Sequence, residues 1–242
     1  MNYALILAGG VGQRMRNSGM PKQFLEVFGK PVIVYTLEKF VRCDEIDRIV
    51  IVCNGAWMEH MRELIQRYAV KNICDIVAGG KDRQLSIKSG IAAIQRDGAS
   101  DEDIIVIHDG VRPLIQRNTI CETIRAAKKY GGAITVKPVM ESVVITQGES
   151  ACFRDFQKRD DTYSLTAPQT FKLGILKSTY EDTAGTEQPI PLLDTALAYA
   201  FLGNDIRLVK ENNANLKITT PEDYYMLKAM LELEENKYVF GL

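Results

Sequence analysis

Short apolar runs alternate with stretches of helical period along nearly the whole chain, and that alternation narrows the fold more than any other feature. Tyr3–Ala8, Arg48–Cys53, Ile73–Ala78, Ile104–His108, Ala133–Pro138 and Ile206–Lys210 read as strands. Val32–Val41, Trp57–Tyr68, Leu85–Gln95, Asn118–Lys129, Leu192–Leu202 and Pro221–Glu234 read as helices. In the first helix Ile33, Leu37, Phe40 and Val41 recur at helical spacing. The last has a start signal: Thr220 as cap, Pro221 in the first helical position and Asp223 three after the cap. Strands alternating with helices of this length predict βαβ units and an α/β fold with a mostly parallel, twisted sheet. Helices on both faces let such strands be apolar throughout.

One segment breaks the rhythm. From Val139 to Leu165 the chain is polar and strand-prone, with Ser142–Thr146 reading as a strand and Gln147-Gly148-Glu149-Ser150 as a turn. An edge hairpin and a projecting arm that pairs with a second subunit both fit, because an exposed strand edge invites pairing. Without a repeat, a low-complexity tract or a Pro/Gly/Ser linker, residues 1–242 read as a single domain carrying an arm at 139–165.

Composition removes several function classes. The formal net charge is −1 over 242 residues. There is no broad positive field for a nucleic-acid backbone or an anionic membrane, so an anion site must be built from a few local cations. No apolar run approaches the ~18 residues of a membrane span. The start lacks a basic leader region, and its apolar stretch ends in glycines, as a buried strand would. Five widely spaced cysteines without a CxxC pair argue against a zinc site or a disulfide framework and for reduced thiols in a cytoplasm. Two histidines, no HExxH and no GxSxG make a histidine-rich metal centre or a serine-hydrolase elbow a poor fit.

The first βα turn carries the strongest chemical signal. It reads Leu7-Ala8-Gly9-Gly10-Val11-Gly12-Gln13-Arg14-Met15-Arg16, followed by Met20-Pro21-Lys22-Gln23. Glycines after a first strand let backbone N–H groups approach an anionic ligand closely. In open α/β sheets ligands sit beyond the carboxyl ends of the strands. No Gly-Lys-Ser/Thr follows, so this is not a P-loop, and the third glycine of a dinucleotide fingerprint is missing. Arg14, Arg16 and Lys22 place three cations within nine residues, which suits a nucleoside triphosphate better than a solvated tight turn.

AGGVGQRM…PKQF resembles the signature of nucleotidyltransferases, specifically the cytidylyltransferases acting on methylerythritol 4-phosphate and ribitol 5-phosphate. Four further blocks agree in order: GGKDRQLSIKSG (79–90), HDGVRP (108–113), RDDTYSLTAPQTF (159–171) and NLKITTPEDY (215–224). The resemblance spans almost the whole chain and implies a three-layer Rossmann-like nucleotidyltransferase fold. The implied reaction joins CTP and an alditol phosphate to give a CDP-alditol and pyrophosphate. Both reactants are polyanions, so positioning and electrostatic stabilisation should supply most of the catalysis.

The resemblance also implies roles. Arg14 and Lys22 would stabilise charge building on the triphosphate, with Leu7, Ala8, Gly9, Gly10 and Gly12 forming the CTP loop. Gly79, Gly80, Asp82, Arg83 and Ser86 form the block that holds the cytosine, where a close backbone wall excludes a purine. For Arg83 a structural ion pair and a direct catalytic contact both stay open. Asp109 matches a residue at the substrate or metal–phosphate region, and Arg112 one near the alditol phosphate. His108 reads as a packed strand-end histidine, since a phosphate nucleophile is already ionised and needs no strong base. Arg159, from the arm, would cross a homodimer to position the acceptor phosphate, and Lys217 would do so from the same subunit. Magnesium, or another divalent cation, would be held mainly by the CTP phosphates, with Asp109 the residue nearest to a metal role. Arg16 lies outside the shared motif and is left as a screening charge.

Departures from the family pattern cluster where the acceptor should bind. The arm's aspartate–threonine is Glu141-Ser142, threonine–proline–glutamine is Ala167-Pro168-Gln169, Gly110 stands where alanine is usual, and Leu193 precedes Asp194. Ser142 and Ala167 therefore enter the acceptor site as altered positions. The double glycine 9–10, Trp57-Met58-Glu59-His60 and Tyr163 four after Arg159 favour the ribitol branch. Methylerythritol 4-phosphate is the competing acceptor. A non-catalytic CTP-binding module and a sugar-1-phosphate nucleotidyltransferase using another base are the readings from outside the branch.

Overall fold

The computed structural model describes residues 1–10, 19–182, 194–211 and 214–240, with side chains at all of these but 182 and 237–240. Its strands are β1 (Asn2–Ala8), β2 (Glu26–Val27), β3 (Lys30–Pro31), β4 (Arg48–Cys53), β5 (Ile73–Ala78), β6 (Ile104–Asp109), β7 (Gly132–Pro138), β8 (Tyr163–Lys172) and β9 (Arg207–Lys210). The helices are α1 (Val32–Val41), α2 (Met58–Arg67), α3 (Arg83–Arg96), α4 (Arg117–Tyr130), α5 (Leu173–Asp182), α6 (Thr195–Phe201) and α7 (Pro221–Phe240). A seven-stranded sheet runs in the order β5-β4-β1-β6-β8-β7-β9, and β2-β3 form a separate ribbon.

Four pairings of the large sheet are parallel, β1 with β4 and β6, β4 with β5, and β7 with β9. Strand β8 runs against both of its neighbours. Alternation along the strands divides the core into two layers. Ala4, Ile6, Ile49, Ile51 and Val106 face α1, α2 and α4 through Leu37, Phe40, Met61 and Ile124. Tyr3, Leu5, Val50, Val52 and Ile107 face α3, α5 and α6 through Ile87, Ile94, Leu176 and Tyr199. A third cluster, Val27, Val32, Val111, Leu114, Ile218 and Leu227, seats α7 against the ribbon and the turn after β6.

The expected α/β sheet with helices on both faces is present. The six strands and six helices read from the sequence each have a counterpart, and residues 192–193 of the Leu192–Leu202 helix lie outside the described residues. Sequence reading missed β8, α5 and the two-residue strands β2 and β3. Strand β8 carries polar Ser164, Thr166, Gln169 and Thr170 where an apolar run was sought, and Gln169 and Thr170 are nevertheless buried. The arm is also a correction. Ser142–Thr146 does not form a strand; Val144 and Phe156 make one isolated antiparallel bridge, flanked by Ile145 N to Asp155 O (2.9 Å) and Gln157 N to Val143 O (2.8 Å). Residues 163–165, read as part of the arm, belong to β8 and pair with β7. Asp223 accepts from the backbone N–H groups of Thr219 (2.7 Å) and Thr220 (2.8 Å), so the expected start of α7 is made by the carboxylate reaching back.

Candidate active site

The carboxyl ends of β1, β5 and β6 meet at one edge of the sheet, where a parallel α/β sheet leaves room for a ligand. A cleft of about 360 Å³ opens there, lined by the glycine-rich turn, Lys22, the start of α3, Asp109 and Lys217.

Strand β1 ends at Ala8, and Gly9 and Gly10 continue into the cleft wall. The described residues resume at Gly19, and the next element is a 3-10 turn, Lys22–Phe24. Gln23 is almost fully buried, and its Nε2 donates to the carbonyls of Ala8 (2.7 Å) and Gly10 (3.1 Å). This lashes the turn that carries Lys22 to the glycine loop. On the other side Phe24 stacks on Trp57 at 5.2 Å and meets His60 edge-on at 4.9 Å.

The second wall comes from β5. The N–H of Gly79 donates to Cys53 O at 2.8 Å, holding the turn beside β4. A Cβ on Gly80 would fall 2.2 Å from Leu85 Cβ, and one on Gly79 2.9 Å from Ser86 Oγ, so only glycine allows this close approach. Asp82 caps α3 by accepting from Leu85 N at 2.8 Å, which leaves the positive end of a fourteen-residue helix at the cleft. Ser86 Oγ donates to Asp82 O at 2.8 Å, so towards a ligand the hydroxyl is an acceptor.

Asp109 closes the site at the end of β6. Its Oδ1 accepts from Arg83 Nη1 at 2.7 Å, and its Oδ2 meets Arg112 Nε and Lys217 Nζ at 3.1 Å each. Burial would raise the Asp109 carboxyl, but Arg83, Lys217 and Arg112 outweigh it and hold the group well below the ordinary carboxylate range. One anion thus gathers three cations and leaves a local excess of positive charge. His108 behind it is fully buried, and burial lowers it to about 4, so the ring is neutral at pH 7, as expected of a packing residue.

The cleft brings together most of the anticipated residues: Leu7, Ala8, Gly9, Gly10, Lys22, Gly80, Asp82, Arg83, Ser86, Asp109 and Lys217. Gly79 abuts it through Ser86. Gly12, Arg14 and Arg16, and with them three positions of the signature, lie outside the described residues, as does Leu193. Arg112 is not among the cleft-lining residues; it packs against Asp109 and donates through Nη1 to Asn215 O at 3.0 Å. Ala167 is buried in β8, with its carbonyl accepting from Asn215 Nδ2 at 2.6 Å. Ser142 and Arg159 are exposed on the arm and are not among the residues that line the cleft of their own chain. Gly110 has a steric cause: a Cβ there would stand 2.6 Å from Ile33 Cδ1 and 3.2 Å from Leu7 O. Sequence reasoning gave no role to Gln23, whose signal was its fixed place after Pro21-Lys22.

Residues 3–233 match the family model described as IspD, 2-C-methyl-D-erythritol 4-phosphate cytidylyltransferase. The chain belongs to this family. Its members are cytidylyltransferases, enzymes of the nucleotidyltransferase class. Several relatives are similar over their full length, two of which illustrate the match. A ribitol-5-phosphate cytidylyltransferase of Vibrio parahaemolyticus is 39% identical over 241 residues, 100% of both chains. One of Streptococcus agalactiae serotype III is 37% identical over 242 residues, 100% of both. Among solved structures, the 4-diphosphocytidyl-2C-methyl-D-erythritol synthase of Anaerococcus prevotii superposes with a TM-score of 0.80 at 27% identity, covering 96% of each chain. The Francisella tularensis 2-C-methyl-D-erythritol 4-phosphate cytidylyltransferase shares the fold, with a TM-score of 0.75 at 23% identity over 94% of this chain and 99% of that one.

Proposed function

We propose that this cytidylyltransferase joins CTP to D-ribitol 5-phosphate, releasing pyrophosphate and CDP-ribitol. A phosphate oxygen of the acceptor attacks the α-phosphorus of CTP. The new P–O bond forms as the bond to the β-phosphate oxygen breaks in line with it. The acceptor phosphate is already ionised, so no residue need take a proton.

The observation that carries this reading is the charge arrangement. Lys22, Arg83 and Lys217 line one glycine-walled cleft, and Asp109 anchors two of them, Arg83 and Lys217. Backbone N–H groups of Gly9 and Gly10 receive the triphosphate, and Lys22 takes up charge as pyrophosphate leaves. Lys217 and the positive end of α3 screen the approaching acceptor. Arg83 serves both readings open for it, pairing with Asp109 while lining the cleft. The Ser86 hydroxyl, its proton directed to Asp82 O, accepts from the cytosine amine and presents nothing to the carbonyl of uracil.

A divalent ion enters with the nucleotide as part of the substrate. No cluster of three metal-ligating side chains occurs among the described residues, and both oxygens of Asp109 are engaged by cations. Such an ion would neutralise the phosphates during transfer.

The arm supplies the remaining cation. Phe153 is 93% exposed, Met140 68% and Ile145 66%, an apolar set that a second copy would cover. In a homodimer Arg159 of the partner subunit would reach the acceptor phosphate. The full-length relatives named for ribitol 5-phosphate favour that acceptor over methylerythritol 4-phosphate, the acceptor in the family description. Among the described residues no helix is long and apolar enough to cross a membrane, and the five cysteines are unpaired. Both accord with work in the cytoplasm. Pyrophosphate release from CTP and magnesium with each purified alditol phosphate tests the reading. Ribitol 5-phosphate should turn over fastest; CTP binding without turnover on any acceptor would make the protein a binding module.

A further inference from the structure

Lys217 is held from both sides. After it, Ile218 N donates to Val111 O at 2.9 Å. Before it stands Asn215, 4% exposed, whose Nδ2 donates to Ala167 O (2.6 Å) and to Glu211 Oε2 (2.8 Å). The carbonyl of Asn215 accepts from Arg112 Nη1 at 3.0 Å. Arg112 Nε in turn donates to the Asp109 oxygen that Lys217 Nζ meets. A ring results: Lys217 to Asp109, Asp109 to Arg112, Arg112 to Asn215, and Asn215 back to Lys217 through two peptide bonds.

Glu211 anchors that ring to the sheet. Its N–H donates to Val136 O at 2.9 Å, tying it to β7, while its carboxylate takes one of the two Asn215 amide bonds. Burial raises the Glu211 carboxyl, and Thr166, Asn215, Arg112 and Lys137 pull it back. A buried carboxylate is costly to keep without such partners. Neither Glu211 nor Asn215 lines the cleft, so any influence on the reaction passes through Lys217 and Arg112.

We propose that Asn215 and Glu211 are positioning residues that hold the Lys217 amine on Asp109, at the place where the two phosphorylated substrates meet. The reaction served rests on the function proposed above; the positioning itself does not. Loss of the Asn215 amide would strip the chain ahead of Lys217 of its side-chain anchor, leaving the Arg112 bond to the Asn215 carbonyl, and would leave Ala167 O and Glu211 Oε2 without this donor. The Lys217 side chain, already 41% exposed, would then spend less of its time paired with Asp109.

Competitive lysine acetylation of the ligand-free protein, read by mass spectrometry, measures this directly. Lys172, paired with Glu102 at 2.7 Å outside the ring, is the internal reference. Asn215→Ala should raise Lys217 labelling relative to Lys172 about fivefold, the weight of a lost ion pair. Glu211→Gln keeps an acceptor for the amide and should stay within about twofold of wild type. In turnover, Asn215→Ala should lower kcat about tenfold or more while the KM for CTP moves little, because misplacement penalises the transition state. In a Lys217→Ala background the same substitution should cost less than about threefold, since neighbours in one network are not additive. Unchanged Lys217 labelling in a folded Asn215→Ala protein, or an equal kcat loss in both backgrounds, overturns the proposal. If Asn215→Ala does not fold by circular dichroism, Asn215→Ser and Glu211→Ala carry the same labelling test. A wild type that releases no pyrophosphate would refute the reaction, while labelling would still decide the positioning.

Discussion

Gln23 Nε2 donates to the carbonyl oxygen of Ala8 across 2.7 Å, joining the 3-10 turn that carries Lys22 to the end of the first strand. The bond fixes a cation against the glycine loop without spending that cation on it. Gln23→Ala leaves two loop carbonyls without this donor, and a buried unsatisfied group costs about 1–3 kcal/mol. The expected outcome is a lower midpoint in urea unfolding together with a kcat loss of about tenfold or more, because Lys22 is no longer held in place. Steady-state kinetics beside denaturant titration check it; full activity in a destabilised protein would count against the linkage.

Lys22→Ala should behave differently. The side chain lines the cleft on a turn whose backbone bonds, Phe24 N to Pro21 O and Leu25 N to Lys22 O, do not involve it. The variant should still fold and lose kcat by about 100-fold or more, the scale for one electrostatic transition-state contact. Thermal melting and pyrophosphate release measured on one preparation separate the two effects.

Base selectivity should follow Ser86. Its hydroxyl proton is committed to Asp82 O, so the oxygen can only accept from a ligand. Ser86→Ala should weaken CTP about tenfold and narrow the preference for CTP over UTP by a similar factor, the value of one buried hydrogen bond. Isothermal titration with both nucleotides, each with magnesium, gives the two numbers. Gly80→Ala should abolish binding outright, since its Cβ would overlap Leu85.

His108 sets the acid limit of stability. Burial lowers it from 6.5 to about 4 in the folded protein. Between those values the unfolded chain binds the proton and the native state does not. Stability therefore falls as pH drops from 6.5 towards 4, by about 3 kcal/mol for a shift of this size. Asp109 acts lower on the scale: its carboxyl is depressed, so its contribution persists above the ordinary carboxylate range and fades only on further acidification. Urea unfolding between pH 7 and 4 should show the decline in wild type and a flatter curve in His108→Gln, which keeps a nitrogen near the position bonded to Arg112 O.

Much of this was legible in the sequence because local and global signals agreed. Strand β4 and helix α1 lie where their apolar patterns put them, Arg48–Cys53 and Val32–Val41. Strand β8 was not legible: Thr166, Gln169 and Thr170 are buried by their place between β6 and β7, and only the tertiary fold supplies that place. At the site, Lys22, Arg83, Asp109 and Lys217 could be named from their blocks. That Asp109 gathers Arg83, Arg112 and Lys217 on one carboxylate could not, because Arg83 and Lys217 approach it from parts of the chain 26 and 108 residues away in number. Gln23 and Asn215 escaped for the same reason: amides bonded to distant carbonyls leave no periodic trace.

The most direct test of the central claim, that this cleft of anchored cations brings CTP and a pentitol phosphate together, is pyrophosphate release from CTP and magnesium with ribitol 5-phosphate and methylerythritol 4-phosphate in parallel. The account predicts turnover with ribitol 5-phosphate at a kcat/KM well above that for methylerythritol 4-phosphate, and its loss in Lys217→Ala. Turnover with methylerythritol 4-phosphate and none with ribitol 5-phosphate, or undiminished activity in Lys217→Ala, would contradict it.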